Sequence, residues 1–251
     1  MHELAGKTLI LSGASRGIGK ALALELAREK VNLVINARSE GPLRETRDEC
    51  LELGISVEYI VGDASKTRTV MAMAEKAQSM DDFFGFIHAA GVLYPGPYIW
   101  EIEEHDFQTV FQANVYAAFL LIQQCVPLLL KQEQGLAVFF GSGAAEKIQP
   151  GIAAYCSAKA AEEHLARQLA VEAPQITTFV YRPGIVETRM QEQARQASGG
   201  AADEVKRVFK SWKEKDMLMS PEESATALVR LLSSEPGRLH GETWDVRDLI
   251  L

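Results

Sequence analysis

Tyr155 and Lys159 stand four residues apart in Tyr155-Cys156-Ser157-Ala158-Lys159, a stretch that reads as helix. At that spacing two side chains share a helix face, with Cβ atoms about 5–6 Å apart. A phenol titrates near ~10 and exchanges protons poorly at neutral pH unless a fixed neighbouring cation favours its ionised form. Lys159 is placed to be that cation. The pair therefore reads either as a proton donor with its tuner, or as a Tyr and a Lys on a solvated helix face, a pattern common by chance. Gly13-Ala14-Ser15-Arg16-Gly17-Ile18-Gly19 carries chemistry of another kind. Glycines in a turn between strand and helix let a pyrophosphate approach backbone N–H groups at a helix amino terminus, where the dipole favours negative charge. The spacing is G-x-x-x-G-x-G, not G-x-G-x-x-G, but its position straight after a first strand points to dinucleotide binding.

The elements that must position these residues alternate along the chain. Lys7 to Ser12 is a short apolar run before the glycine turn, and an Ala/Leu-rich helical stretch follows to Lys30. Val31 to Asn36, Ser56 to Val61, Phe83 to His88, Leu136 to Phe140 and Ile176 to Tyr181 read as further strands, with Thr243 to Val246 as a candidate seventh. Helical patterns fill residues 42–53, 65–80, 103–131 (with Pro127 as an expected kink), 151–171 and 221–234. Strands alternating with helices imply an α/β fold: one parallel sheet covered on both faces. No repeat, low-complexity tract or linker divides the chain, so residues 1–251 are expected to form a single domain. Residues 189–216 are rich in Gln, Lys, Arg and Glu and contain Ser198-Gly199-Gly200. Within them Val205, Val208, Phe209 and Trp212 recur at helical spacing, giving an apolar face that needs a partner.

Composition excludes several classes. A net charge of −8 argues against a nucleic-acid partner, which calls for a basic face. Cys50, Cys125 and Cys156 are far apart and show no C-x-x-C pairing, which suggests free thiols in a reducing compartment, with neither a disulfide framework nor a metal site. The expected location is the cytoplasm. The amino terminus lacks the layout of a signal peptide and no uninterrupted apolar run reaches ~18 residues, so no membrane partner is expected.

Taken in order, Gly13-x-x-x-Gly17-x-Gly19, Ala89-Ala90-Gly91 after the fourth strand, Asn114, Ser142, the Tyr155/Lys159 pair and Pro183-Gly184 resemble the short-chain dehydrogenase/reductases over nearly the whole chain. Ile185 to Gln191 also resembles the sepiapterin and benzil reductase branch. The resemblance implies a doubly wound Rossmann-type sheet of about seven strands, mostly parallel, and hydride transfer between a nicotinamide cofactor and a carbonyl or alcohol. It implies that Tyr155 gives its proton to the carbonyl oxygen, that Ser142 hydrogen-bonds the same oxygen, and that Lys159 lowers the phenol pKa while holding the nicotinamide ribose. Asn114 would organise a water linking Lys159 to solvent, unless it serves only to satisfy a buried backbone group. Cofactor contacts would come from Gly13, Ser15, Arg16, Gly17, Ile18 and Gly19, from Arg38 and Asp63, from Ala89, Ala90 and Gly91, from Tyr155 and Lys159, and from Pro183, Gly184, Val186 and Thr188. Asp63 would reach the adenine, the alternative being a helix cap. A homodimer or homotetramer is implied, and residues 189–216 are expected either to close as a lid over the substrate with Gly199-Gly200 as hinge or to carry a helix docked permanently on the core. His88 departs from the pattern, since the family turn begins with Asn; a structural role is expected for it. Val246 to Leu251 departs too, standing where many members have Gly-Gly after the last strand.

Cofactor choice is legible at the end of the second strand. An acid there binds the ribose hydroxyls of NAD, while a base accommodates the 2′-phosphate of NADP. Ala37 occupies the acid's place, Arg38 follows, and Arg16 lies in the glycine loop, so NADP(H) is expected, with Glu40 close by as a complication. The function expected is an NADPH-dependent ketone or diketone reductase. The alternatives are a catalytically silent NADP(H)-binding regulator and an epimerase or dehydratase on the same fold.

Overall fold

The apolar run before the glycine turn forms β1 (Thr8–Ser12), all of it buried. In the computed structural model, which describes residues 4–233 and 236–249, the first half of the chain continues as α1 (Gly17–Arg28), β2 (Asn32–Ala37), α2 (Glu40–Glu52), β3 (Val57–Val61), α3 (Thr67–Ser79) and β4 (Phe83–His88). Then come α4 (Glu104–Phe111), α5 (Ala117–Leu130), β5 (Gly135–Phe140), α6 (Ala153–Glu172) and β6 (Ile176–Arg182). The chain closes with α7 (Arg189–Arg195), α8 (Ala202–Glu214), α9 (Pro221–Leu231), α10 (Pro236–Leu239) and β7 (Thr243–Asp245). The seven strands form one sheet in the order β3-β2-β1-β4-β5-β6-β7, and every pairing is parallel. Strand order reverses between β1 and β4. In doubly wound sheets a crevice opens at such a point, outside the carboxyl ends of the strands.

Side chains alternate across the sheet, and the two faces have separate cores. Leu9 and Leu11 of β1, Leu33 and Ile35 of β2, and Val138 and Phe140 of β5 pack with Leu22 and Leu26 of α1 and Leu228 of α9. Ile10, Val34, Ala137 and Phe139 point the other way, onto Met73 of α3, Leu121 and Cys125 of α5, and Leu169 of α6. Burial on both faces is why the central strands read as continuous apolar runs.

Three details differ from the expected elements. The helix expected over 103–131 contains a π turn at Gln112–Tyr116, so that α4 and α5 are offset by one inserted residue; Pro127 lies within α5. Residues 189–216 form two helices, α7 and α8. α9 ends at Leu231, and its start is fixed by a capping box between Ser220 and Glu223; residue 234, the expected end, lies outside the described residues, as do Ile250 and Leu251 of the carboxyl terminus.

Glu104–Leu130 is a 27-residue helical stretch with mean hydropathy 1.6 in its most apolar part, long and apolar enough by composition to cross a membrane. Counting uninterrupted apolar runs passes over it because polar residues such as Gln123 and Gln124 break the run. Its inner side belongs to the core described above, and 44 % of the apolar part is buried. Its outer side leaves Phe107, Tyr116, Phe119 and Leu130 exposed.

Candidate active site

The crevice at the β1/β4 switch point has a volume of about 1050 Å³. Gly13 sits at its floor with φ +76°, and a Cβ there would lie 2.7 Å from the backbone N of Ala90. At Gly19 a Cβ would lie 2.2 Å from the Gly13 carbonyl oxygen. The glycine loop is therefore folded against itself and against the Ala89-Ala90-Gly91 turn, at distances no side chain permits. α1 begins at Gly17 with no side-chain cap, and its first residues line the crevice. Uncapped N–H groups at that end fit a pyrophosphate.

All but one of the catalytic and cofactor residues expected from the sequence line this crevice: Gly13, Ser15, Arg16, Gly17, Ile18 and Gly19 of the glycine loop, Arg38, Asp63, Ala89 to Gly91, Ser142, Tyr155, Lys159, Pro183, Gly184, Val186 and Thr188. Asn114 does not. It is fully buried on the π turn, where its Nδ2 donates to the carbonyls of Val92 (2.9 Å) and Val110 (2.8 Å). Satisfying backbone was the alternative left open for it. Its Oδ1, buried and without a hydrogen-bond partner among the described residues, still faces the site. A Cβ on Gly91 would meet that oxygen at 2.8 Å and Lys159 Nζ at 3.8 Å.

Helix α6 presents Tyr155 and Lys159 on one face, as their spacing requires, with the ammonium 5.7 Å from the centre of the phenol ring. Lys159 Nζ donates to the Phe140 carbonyl and to Glu162 Oε2, both at 2.7 Å. Burial pushes the Tyr155 phenol above its ordinary range; Lys159 and a hydrogen bond with Ser142 pull it down but do not outweigh burial. Lys159 thus acts in the expected direction without making the phenol a strong acid by itself. Burial works against the lysine's own charge more than any other single influence, yet Glu162, Tyr155 and Glu163 together more than compensate and hold its pKa above the usual lysine range.

Ser142 caps a short 3₁₀ turn, its Oγ accepting from the N–H of Ala144 at 3.2 Å. Its own N–H donates to Glu163 Oε1 at 3.1 Å. That carboxylate is gripped by Arg182, whose Nε reaches Oε1 at 2.9 Å and whose Nη2 reaches Oε2 at 2.7 Å; Nη2 also donates to Glu146 at 2.6 Å. Glu162, Glu163 and Arg182 were missed in the sequence. The first two look like ordinary charged helix residues, and only the place of Arg182 at the carboxyl end of β6, before Pro183, signals a site.

At the other end of the crevice Arg16 and Arg38 are exposed at the rim. The arginines in ion pairs among the described residues are Arg28, Arg47, Arg167, Arg182, Arg195 and Arg247, so neither rim arginine has a carboxylate partner. Asp63 Oδ1 accepts from the N–H of Ser65 at 2.8 Å. It stiffens the turn after β3 and is not the cap of α3, whose N-cap is Lys66.

The remaining wall is apolar. α8 places Phe209 and Trp212 on the crevice, and its buried Val205 and Phe209 pack with Leu93, Ile152 and Ala194. The apolar face expected from the sequence is docked on the body of the protein. Gly199-Gly200 is tied down in this conformation: the Gly200 N–H donates to Glu101 Oε2 at 2.9 Å, and the Ala201 N–H to the Gly96 carbonyl at 2.8 Å. Glu101 lies in the loop that carries Tyr98 and the exposed Trp100, whose rings stack at 4.8 Å.

A family model described as short chain dehydrogenase matches residues 7–199. This chain is a short-chain dehydrogenase/reductase. As a member of that family it is an oxidoreductase that uses a nicotinamide cofactor. It is 29 % identical over 249 residues to the benzil reductase ((S)-benzoin forming) of Saccharomyces cerevisiae, covering 94 % of both chains. To the NADPH-dependent pterin aldehyde reductase of Arabidopsis thaliana it is 29 % identical over 191 residues, covering 74 % of this chain and 78 % of that one. Among solved structures, the alcohol dehydrogenase of the archaeon Thermococcus sibiricus complexed with 5-hydroxy-NADP superposes with a TM-score of 0.80 at 27 % identity, covering 95 % of both chains.

Proposed function

We propose that this short-chain dehydrogenase/reductase is an NADPH-dependent reductase of small ketones or diketones. The observation that carries the reading is the convergence of Tyr155, Ser142 and Lys159 on one wall of the crevice whose floor is the glycine loop. The nicotinamide, when bound, supplies the hydride. Tyr155 donates its proton to the oxygen on which charge develops, a step for which a placed acid contributes about 10²–10⁴-fold. Ser142 hydrogen-bonds the same oxygen from a backbone held by Glu163, so it needs little reorganisation as charge forms. Lys159 keeps a positive charge beside the phenol and has a remaining proton for the cofactor ribose.

Preference for NADPH is supported by Arg16 and Arg38 standing unpaired at the rim, with Ala37 in place of an acid. The pterin aldehyde reductase is NADPH-dependent, and the archaeal alcohol dehydrogenase is complexed with 5-hydroxy-NADP. The apolar wall of Leu93, Ile152, Phe209 and Trp212 suits a substrate with aromatic or branched groups flanking its carbonyl, and α7 and α8 would act as its lid. The exposed Phe107 of α4, Tyr116 of the π turn and Phe119 of α5 suit contact with a second copy, giving a homodimer or homotetramer. Thiols at Cys50 and Cys125, buried and pushed up to about 12 by their surroundings, suit the cytoplasm.

The test is NADPH oxidation against a panel of aldehydes, ketones and diketones, repeated with NADH. Turnover is expected with ketones or diketones and to be faster with NADPH. Failure to reduce any carbonyl with either cofactor would refute the reading, and a preference for NADH would refute its cofactor half.

A further inference from the structure

Lys159 is backed by a polar cluster that lies outside the crevice lining. Glu162 Oε2 holds the ammonium at 2.7 Å, while Oε1 is buried without a partner among the described residues and lies 3.8 Å from His88 Nε2, which is likewise unpartnered. His88 Nδ1 is 2.8 Å from Ser12 Oγ, and that hydroxyl accepts from the N–H of Ala90 at 3.3 Å. The assignment that satisfies most groups has Ser12 donating to Nδ1, so that the ring proton sits on Nε2, with Glu162 Oε1 beyond hydrogen-bond reach at 3.8 Å and the backbone of Asn114 and Ala113 also against the ring. Ser12, His88 and Glu162 are all fully buried.

The charged or titratable groups facing Glu162 are Lys159, Tyr155 and Glu163 on its own helix and His88 on β4. Asn114 on the π turn and the Phe140 carbonyl on β5 add only dipoles. Glu163 is already committed to Arg182 on β6. Burial and the charge of Lys159 push His88 down to about 3, so it is neutral. Burial pushes Glu162 up to about 7 against the pull of Lys159. A negative Glu162 raises the Tyr155 phenol, opposing Lys159.

Building on the carbonyl-reductase reading above, we propose that Glu162, held by Lys159 and flanked by His88, is a positioning residue whose carboxyl group sets the acid strength of Tyr155 through Lys159. As a carboxylate it absorbs the field of the ammonium and leaves the phenol a weak acid. As a carboxylic acid it releases that field onto the phenol. Adding a proton to Glu162 thus strengthens the proton donor without removing any contact with the substrate. His88, where the family turn begins with Asn, places the dipole of a neutral ring 3.8 Å from that carboxylate, which gives this departure from the pattern a task.

The test needs no turnover. The protein has six tyrosines, and ultraviolet difference titration against Tyr155→Phe isolates the ionisation of Tyr155. Glu162→Gln, whose amide oxygen still accepts from Lys159, is expected to lower the Tyr155 midpoint by about one pH unit, a tenfold change in acid strength. Glu162→Asp is expected to stay near wild type. The infrared band of a buried carboxylic acid is expected to titrate near neutrality in wild type, to vanish in Glu162→Gln, and to shift to higher pH in His88→Asn, a variant that keeps the family's residue at the turn. In turnover, the neutral-range inflection of the kcat profile should disappear in Glu162→Gln with little change in KM. An unchanged Tyr155 midpoint in Glu162→Gln would overturn the proposal, as would a carboxyl band that does not respond to His88→Asn. A wild type inactive on every carbonyl would instead strike the functional reading, and the two titrations would still decide the coupling of Glu162 to Tyr155.

Discussion

Replacing Glu163 by Gln removes the negative partner of Arg182 while keeping the shape of the side chain. Arg182 is nine-tenths buried and Glu163 almost wholly so (side-chain exposure 10 % and 2 %), and two hydrogen bonds at 2.9 and 2.7 Å join them. Removing one partner of a buried pair typically costs about 3–5 kcal/mol, because a charge is left without compensation. Glu146 remains on the same guanidinium, but its side chain is 70 % exposed, and exposed pairs contribute at most about 1 kcal/mol. The expected loss is therefore about 2–4 kcal/mol, read by urea denaturation with linear extrapolation. The same carboxylate accepts the Ser142 N–H, so the hydroxyl that faces the substrate should drift. A shift near 1 Å in a reacting group costs up to about 100-fold, and kcat should fall by about 10- to 100-fold while the Kd for NADPH barely moves. Glu146→Gln is the control, expected within about 1 kcal/mol of wild type and fully active. Unfolding of Glu163→Gln within about 1 kcal/mol of wild type, or an equal cost for Glu146→Gln, would refute the reasoning.

Tyr155→Phe should retain cofactor binding and lose at least about 100-fold in kcat; a variant that kept a tenth of the activity would remove Tyr155 from the role of acid. Arg38→Ala should weaken NADPH binding by roughly ten- to a hundredfold, since charge-assisted hydrogen bonds contribute about 1.5–3 kcal/mol, and leave NADH binding almost unchanged; equal losses in fluorescence titrations at fixed ionic strength would show that Arg38 only supports its loop. Ala37→Asp combined with Arg38→Ala should reverse the preference. Hydrogen exchange of the amides in 202–214 should slow when cofactor and substrate are both present, and protection that is the same with and without them would mean that α8 is no lid.

Legibility in the sequence followed the range of the interaction. Strand-helix alternation, the glycine loop and the Tyr155/Lys159 spacing are local patterns, and the structure places each where its pattern implies. The π turn was not legible, because inserting one residue into an apolar helix leaves no signature in its composition. Glu162 and Glu163 were hidden for another reason: two glutamates in a helix look solvated, and what encloses or binds them, His88 of β4 beside Glu162 and Arg182 of β6 bonded to Glu163, is supplied by strands distant in the chain. Asn114 was legible as a residue of interest, but its two bonds to the Val92 and Val110 carbonyls depend on how β4's loop meets the π turn. The hinge at Gly199-Gly200 was inferred from flexibility alone, and the carboxylate of Glu101 that holds it could not be anticipated from so far away.

The three tryptophans fall in three different optical environments. Trp212, carried by α8, looks into the crevice; Trp100 is 77 % exposed beside the loop that anchors Gly200; Trp244 on β7 is stacked under Arg238 at 5.2 Å. Reduced nicotinamide absorbs where indole emits, so excitation of Trp212 should pass to a bound reduced cofactor, while Trp244 supplies a background tied to the fold. Emission from Trp100 reports on solvent beside the Glu101 anchor of Gly200. With Phe substituted at two of the three positions in turn, one protein would give separate light signals for occupancy of the crevice, release of the anchor and integrity of the sheet, with no dye attached.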